Sequence, residues 1–363
     1  MEFASDNTAG AHPAILRALG DANDGRVKSY GYDPWTKRAE EALGRVFERE
    51  VSAFLVLTGT AANALALSAI VPSYGAVLCH DEAHLHTDEC GAPELFSGGA
   101  KLMPLSATGG KISAAQVAQT LDNLARGEHE SKPAAVSITQ LTELGTAYSP
   151  AEIGALGDLC KARKLKLHMD GSRFANALVG MGCTAADMTW RAGVDVMSFG
   201  ATKNGALALE AVIFFNQSLA EDFRYRRKRA GQLLSKSRYL GAQMLALLKN
   251  GLWLKNAEQS NAMARLLAGK LAEIQGVRLP LATDGNQVFA IMPKRLHEAM
   301  LKGGAHYHAW PARASSVEGI EEGECLARFV ASYQTTEEDV TALAQLAQRL
   351  AGNGMGAQKG AQT

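Results

Sequence analysis

A lysine stands just after an apolar, strand-like run in residues 196–205, which read Val-Met-Ser-Phe-Gly-Ala-Thr-Lys-Asn-Gly. An amine at the end of a buried strand can lose hydration. This lowers its pKa and makes it a nucleophile that forms a Schiff base with a carbonyl compound. Most loop lysines are solvated and do no chemistry. Lys203 alone therefore leaves both interpretations open.

Two further strand ends carry polar groups of complementary chemistry. Gly59 and Thr60 follow an apolar strand and begin a helix, where unpaired N–H groups and a hydroxyl favour an anion such as phosphate. Asp170 follows another apolar strand, at the sheet edge where ligands of open α/β sheets gather, and could hold a cationic ring nitrogen. Simple helix capping is the alternative interpretation of both segments.

In chain order, these segments supply a phosphate site, a carboxylate and a lysine. Those groups match the phosphate, the ring nitrogen and the aldehyde carbon of pyridoxal 5′-phosphate (PLP). The three segments together predict a PLP site, although each is weak evidence by itself.

With these residues in place, the chain resembles the low-specificity L-threonine aldolases and phenylserine aldolases, PLP-dependent enzymes of the aspartate aminotransferase fold (fold type I). The resemblance covers about residues 3 to 350. Six segments carry it: Ser5-Asp6-Asn7-Thr8, Tyr30-Gly31-Tyr32-Asp33-Pro34, Thr58-Gly59-Thr60-Ala61-Ala62-Asn63, Ala83-His84, His168-Met169-Asp170-Gly171-Ser172-Arg173 and Thr202-Lys203. It implies an α/β fold with a large domain, built on a mostly parallel seven-stranded sheet, and a smaller C-terminal α/β domain.

The resemblance also implies how the cofactor is held. Lys203 would carry PLP as a Schiff base, Asp170 would pair with the ring nitrogen, and His84 would stack on the ring. The neighbouring His80 and His86 are alternatives for the stacking position. Further contacts, most of them to the phosphate, would come from Gly59, Thr60, Arg173, Thr202 and Lys228.

An amino-acid substrate would need a cation for its carboxylate, and the candidates are Arg173 and Arg328. In residues 325–331, two-residue alternation places Arg328 on one face of a strand with Leu326 and Val330. A salt bridge within the chain is the structural alternative. The resemblance favours substrate binding, with Ser5 donating a further hydrogen bond to the carboxylate.

The chain departs from the family pattern in residues 139–145, Thr-Gln-Leu-Thr-Glu-Leu-Gly, where many members carry a histidine. Glu143 is the polar group at this place. Three interpretations stay open: Glu143 acts as a base through a water molecule, His84 acts directly, or Glu143 is a structural ion-pair partner.

The implied activity is cleavage of the Cα–Cβ bond of a β-hydroxy-α-amino acid, such as threonine, allo-threonine or phenylserine, to glycine and an aldehyde. An aminotransferase or a β-eliminating lyase is the nearest alternative, because the same cofactor residues serve all three. A weak hint of an aromatic-tolerant pocket comes from His306, Tyr307, His308 and Trp310. A remote alternative is a non-catalytic nucleic-acid-binding module that uses the basic residues 224–229.

The resemblance implies a homotetramer, a dimer of dimers, in which Tyr30 reaches the neighbouring subunit's site. The net charge is zero, which argues against binding to nucleic acid or an anionic membrane. Five widely spread cysteines without a C-x-x-C pair suit neither disulfides nor a metal site. No segment resembles a signal sequence or a membrane span, so a cytoplasmic location is expected.

Alternating strand-like runs and helical periodicity predict the layers that position these groups. Seven strands are expected in one sheet, at residues 53–57, 76–80, 101–105, 134–141, 166–170, 195–201 and 209–216. A capping box at residues 149–152 predicts a helix to residue 164. The expected organisation is an N-terminal arm (1–20), a large PLP-binding domain (21–252), a small domain (253–351) and a disordered tail (352–363).

Overall fold

The computed structural model describes residues 1–311 and 316–356, with side chains up to residue 352. Most of the tail expected at residues 352–363 therefore lies outside the described residues, although the last helix extends to Gly356. Within the described ranges, no helix is both long enough and apolar enough to cross a bilayer.

The prediction of seven strands in one sheet is confirmed. The strands are β1 Ser52–Val56, β2 Gly75–His80, β3 Lys101–Leu105, β4 Lys132–Thr139, β5 Lys166–Gly171, β6 Val196–Gly200 and β7 Glu210–Phe214. Their order is β1-β7-β6-β5-β4-β2-β3. Only β7 runs antiparallel to its neighbours. The carboxyl ends of the other six strands therefore meet at one edge of the sheet.

The helices of the large domain cover this sheet. They are α1 Pro13–Ala22, α2 Pro34–Val46, α3 Gly59–Ile70, α4 His84–Thr87, α5 Ala92–Ser97, α6 Ala114–Asp122, α7 Pro150–Arg163, α8 Phe174–Met181, α9 Phe223–Arg229 and α10 Arg238–Leu248. Helix α2 is amphipathic and buries Ala39, Ala42 and Leu43 on one face. Helix α7 has the predicted capping box, in which Ser149 accepts from the Glu152 N–H and Glu152 accepts from the Ser149 N–H.

The small domain contains a three-stranded sheet that the sequence predicted only in part. Its strands are β8 Gln287–Pro293, the short β9 His308–Ala309 and β10 Glu324–Val330, and β10 is the strand expected to carry Arg328. The sheet order is β8-β10-β9, and all pairs are antiparallel. Three helices, α11 Leu252–Ala272, α12 Lys294–Lys302 and α13 Glu337–Gly356, complete the domain.

Helix α11 and the N-terminal arm each connect the two domains, which the expected domain boundaries do not show. Helix α11 buries Trp253 in the core of the large domain and Leu267 in that of the small domain. Phe3 of the N-terminal arm is fully buried in the small-domain core, where its N–H donates to His306 O and its carbonyl accepts from Val330 N. The arm therefore belongs to the small domain at its start and leads into the large domain at α1.

Two glycines of helix α7 test how closely this helix packs against the backbone at Ala192. A Cβ atom added to Gly157 would lie 2.2 Å from the Ala192 carbonyl oxygen, whereas one added to Gly154 would meet nothing within 4 Å. Gly157→Ala should lower the free energy of unfolding by about 1–3 kcal/mol through overpacking. Gly154→Ala should raise it by up to about 1 kcal/mol through helix propensity. Thermal unfolding midpoints measure both, and equal midpoints for the two variants would contradict the packing.

Candidate active site

The carboxyl ends of β4, β5 and β6 bring the predicted polar groups together. The strand register places Thr139, Asp170 and Ser198 side by side on these three strands. Glu143 follows β4 in the loop to α7, and Lys203 follows β6 in a short 3-10 turn. Residues far apart in the sequence therefore share one edge of the sheet, as expected for a ligand site in an open α/β sheet.

Asp170 is the buried anion of this edge. It is 2% exposed; its Oδ2 accepts from Asn63 Nδ2 at 2.7 Å, and its Oδ1 accepts from the Ser172 N–H at 2.9 Å. Burial by itself raises the pKa of a carboxyl group. The charges of His84 and Lys203 and the two hydrogen bonds outweigh burial and hold the pKa of Asp170 below its usual value. Asp170 is therefore ionised.

Asn63 on α3 links Asp170 to a second buried acid. Its Nδ2 donates to Asp170 and also to Glu89 Oε1 at 2.8 Å, while its Oδ1 accepts from Ser198 Oγ at 2.7 Å. All four residues are at most 3% exposed. Since both amide hydrogens and the amide oxygen have partners, the orientation of Asn63 is fixed.

His84, the first residue of α4, lies between two glutamates. Its Nδ1 is 2.9 Å from Glu89 Oε1, and its backbone N–H donates to Glu143 Oε1 at 2.8 Å. The hydrogen bond with Glu89 and the charge of Asp170 raise the pKa of His84, although burial opposes them. The imidazole is 39% exposed at the side-chain level, so it remains open to a ligand.

No cation among the described residues forms a salt bridge with Glu143, so the ion pair that was one interpretation of its role is absent from that part of the chain. Besides the His84 N–H, its Oε1 accepts from Thr139 Oγ1 at 2.9 Å. Its Oε2 is buried and has no hydrogen-bond partner among the described residues. Burial raises the pKa of Glu143 to about 7, and the charge of Asp170 adds to the shift. The carboxyl group can thus exchange a proton near neutral pH.

Lys203 has the environment that the sequence predicted for a nucleophilic amine. Burial, together with the charge of Arg173, lowers its pKa. The turn that carries it is held by the Ala201 N–H, which donates to Glu210 Oε2 at 2.8 Å, and by the Thr202 hydroxyl, which bonds to the N–H and carbonyl of Leu209. These bonds fix the position of the lysine backbone.

The predicted phosphate end is the N-terminus of α3. Thr58 caps this helix by accepting from the Ala61 N–H at 3.2 Å. The N–H groups of Gly59 and Thr60 stand in the first turn, where a helix offers no internal acceptor, and the space beside the Gly59 Cα is open. Lys228 on α9 lies with its Nζ 4.8 Å from the centroid of the Tyr30 ring.

The basic helix α9 is less exposed than its sequence suggests. Arg227 is 9% exposed, stacks over Phe54 and donates to the Leu55 carbonyl oxygen at 3.3 Å. A stretch that resembles a nucleic-acid patch therefore uses one of its cations to support the strand that leads to Gly59.

The two candidate arginines differ in their partners. Arg173 donates to both carboxylate oxygens of Asp6, at 2.8 and 3.0 Å, and this pair is nearly buried. Arg328 has no salt bridge among the described residues; its guanidinium stacks 4.2 Å from the centroid of the Trp310 ring and donates to the Ala4 carbonyl oxygen at 3.5 Å. Burial and the charge of Arg173 lower the pKa of Arg328.

Ser5 lies between the two arginines along the arm, next to Asp6 and Ala4. Its Oγ accepts from the Asn7 N–H at 3.1 Å, and its hydroxyl hydrogen remains able to donate. Ser5 is thus flanked by Ala4, which contacts Arg328, and by Asp6, which contacts Arg173.

The side chains at this edge fit PLP at each of its functional groups. The open space and N–H groups at Gly59 suit a phosphate, ionised Asp170 suits the protonated ring nitrogen, and the Lys203 amine suits the aldehyde carbon. Fold and site together define a PLP-dependent enzyme of fold type I.

Comparison with known proteins agrees with this class. Residues 2–295 match the family model for the beta-eliminating lyases. The chain is 44% identical to the low specificity L-threonine aldolase of Pseudomonas sp. (strain NCIMB 10558), over 95% of this chain and 96% of that protein. It is 25% identical to the low specificity L-threonine aldolase of Saccharomyces cerevisiae, over 76% of this chain and 68% of that protein. The chain belongs to the beta-eliminating lyase family.

Comparison with solved structures supports the same fold and the same class of enzyme. A Leishmania major threonine aldolase superimposes with a TM-score of 0.88 at 30% identity, covering 96% of this chain and 99% of that one. The serine palmitoyltransferase of Sphingomonas wittichii shares the fold alone, with a TM-score of 0.70 at 16% identity over 98% of this chain and 88% of that one. The resemblance inferred from the sequence motifs is therefore confirmed.

Sequence reasoning assigned no role to three residues of the site: Asp6, which neutralises Arg173, and Asn63 and Glu89, which join Asp170 to His84. Trp310, one of the residues that hinted at an aromatic-tolerant pocket, stacks on Arg328. Asp6 and Asn63 stand inside matched motifs, so their position was a signal. Nothing in the pattern around Glu89 distinguishes it from an exposed loop acid.

Proposed function

We propose that this enzyme cleaves the Cα–Cβ bond of β-hydroxy-α-amino acids, such as threonine, allo-threonine and phenylserine, to glycine and an aldehyde. The observation that carries the proposal is that the complete PLP site lies in a chain that matches a low specificity L-threonine aldolase almost from end to end. The enzyme is thus a PLP-dependent lyase.

Bound PLP supplies an electron sink, because its protonated ring takes up the electron pair left when a bond to Cα breaks. Asp170 maintains that property by keeping its negative charge beside the ring nitrogen. Lys203 is the buried amine that would hold the aldehyde carbon of the cofactor. Gly59 and Thr60 would hold the phosphate at the N-terminus of α3, with Thr202 and Lys228 as further candidate contacts.

Arg328 is the cation that orients the substrate. Its charge has no carboxylate partner in the described chain, whereas the charge of Arg173 is neutralised by Asp6. Arg173 therefore shapes the site and holds the arm, and Ser5 donates the second hydrogen bond to the substrate carboxylate. A carboxylate fixed in this way would orient the bonds at Cα and so determine which of them is cleaved.

Removal of the β-hydroxyl proton requires a base, and two groups are available. His84 is open to ligand on the imidazole side, and Glu143 has a pKa of about 7 with an oxygen free to accept.

Tyr30 packs its ring against Lys228 and is 44% exposed. In the homotetramer that we propose, a dimer of dimers, this exposed ring reaches the neighbouring subunit's site. The molar mass in solution tests the assembly.

A β-eliminating lyase is the second candidate, favoured by the family model that the chain matches. β-Elimination would break the Cβ–O bond and release ammonia and a keto acid, whereas aminotransfer would need a keto acid acceptor.

We also propose a cytoplasmic location, supported by five cysteines that are all free thiols.

Product stoichiometry separates these reactions. Threonine should give equal amounts of glycine and acetaldehyde, and phenylserine equal amounts of glycine and benzaldehyde, without an added keto acid. Glycine, aldehyde, ammonia and keto acid are quantified in the same reaction mixture. Ammonia and keto acid in place of glycine would establish elimination and contradict the proposal.

The substitution Arg328→Lys tests the carboxylate clamp. An ammonium cannot reproduce the planar two-bond grip of a guanidinium, so kcat/KM for threonine should fall about 10- to 100-fold. The matched control is Arg278→Lys, since Arg278 is an exposed arginine paired with Glu324 at the start of β10. Its kcat/KM should stay unchanged. Normal kcat/KM in Arg328→Lys would assign the carboxylate to Arg173.

A further inference from the structure

Glu89 is a buried acid for which the cofactor-binding scheme gives no role. It lies between α4 and α5, is 3% exposed, and has a side-chain exposure of 0%. Burying a carboxylate is costly unless it is paired and hydrogen-bonded. No lysine or arginine lies within salt-bridge distance of Glu89 in the described chain; its one basic partner is His84.

The hydrogen bonds around Glu89 determine where the protons lie. Asn63 Nδ2 can only donate, and it donates to Glu89 Oε1 and to Asp170 Oδ2. The same Glu89 oxygen lies 2.9 Å from His84 Nδ1. When Glu89 is ionised, this oxygen can only accept, so it accepts from both Asn63 and His84, and Nδ1 is the donor. The free lone pair of the neutral imidazole is then on Nε2.

Other charged groups around His84 do not compete for Nδ1. Glu143 contacts the backbone N–H of His84, and Asp170 and Lys203 act on the imidazole only through their charges. Glu89 is thus the single described side chain that hydrogen-bonds the ring. Its own anchor, Asn63, is fixed in turn by Ser198.

We propose that Glu89 is a positioning residue that fixes the tautomer and orientation of His84, so that Nε2 is the base for the β-hydroxyl proton. This role of Glu89 in catalysis rests on the proposed lyase reaction. In that reaction the O–H bond of the substrate breaks and its proton moves to His84 Nε2. The O–H electron pair forms the carbonyl bond of the aldehyde as Cα–Cβ breaks, and the Cα–Cβ pair remains with the glycine portion.

Nitrogen NMR of the holoenzyme tests the tautomer directly. Selective ¹⁵N labelling of the nine histidines gives two-bond correlations that distinguish a protonated Nδ1 from a protonated Nε2. The signals that disappear in His84→Asn belong to His84. At alkaline pH the wild type should show protonated Nδ1 and bare Nε2. Glu89→Gln should show a mixture of both tautomers, and its His84 should titrate at lower pH.

A wild-type His84 protonated on Nε2, or a Glu89→Gln variant with the wild-type tautomer and titration, would overturn the proposal. If Glu89→Gln does not fold, Glu89→Asp replaces it, because the carboxylate then ends one methylene short of Nδ1. Glu89→Asp should show the same tautomer mixture to a smaller extent. Unchanged His84 signals in a folded Glu89→Asp variant would overturn the proposal equally.

Kinetics provide the second readout. Glu89→Gln should lower kcat about 100-fold, at the lower end of what general-base catalysis contributes, with little change in KM or in PLP affinity. In the His84→Asn background the same substitution should have almost no further effect, since a positioning residue acts through its partner. Equal losses in both backgrounds would show that Glu89 acts independently of His84 and would contradict the proposal.

The matched control is Glu94→Gln, the same substitution on the adjacent helix α5. Glu94 also has a buried carboxylate oxygen without a hydrogen-bond partner, but no contact joins it to His84. In Glu94→Gln, the tautomer of His84 and the kcat should equal those of the wild type. A wild-type enzyme that does not cleave threonine while its His84 tautomer depends on Glu89 would refute the lyase reaction and leave the positioning by Glu89 intact.

Discussion

The site depends on one constraint, namely that Asp170 must remain negatively charged while it is almost completely buried. Burial disfavours the negative charge, and hydrogen bonds and positive charges from the surrounding fold offset this cost. Asn63 donates from α3, the Ser172 N–H donates from the chain that follows β5, and Lys203 and His84 contribute positive charge. These groups come from four segments of the chain, and the parallel sheet brings them to one edge.

A second constraint is the distribution of cations at the domain boundary. The arm places Asp6 against Arg173 and so leaves Arg328 as the arginine without a carboxylate partner in the described chain. Arg328 belongs to the small domain, whereas Lys203 and Asp170 belong to the large one. In the proposed scheme, cofactor and substrate carboxylate would be held by different domains, which are joined by helix α11 and the N-terminal arm.

Local signals in the sequence predicted the seven strands, the capping box of α7 and the segments that hold PLP, because strand alternation, helix caps and strand-end polar groups are short-range features. Long-range contacts were not predictable. The Asp6–Arg173 pair joins residues 167 positions apart, and the Asn63–Asp170 bond joins residues 107 positions apart. Tyr307, which suggested an aromatic pocket, packs against Phe329 in the small-domain core instead.

The affinity of Asp170→Asn for PLP tests the central constraint most directly. This substitution keeps the size of the side chain and removes its charge. Loss of a charge-assisted hydrogen bond, worth about 1.5–3 kcal/mol, should raise the PLP dissociation constant about 10- to 100-fold, while the thermal unfolding midpoint of the apoprotein stays close to that of the wild type. An unchanged dissociation constant would show that Asp170 does not hold the ring nitrogen and would contradict this account of the site.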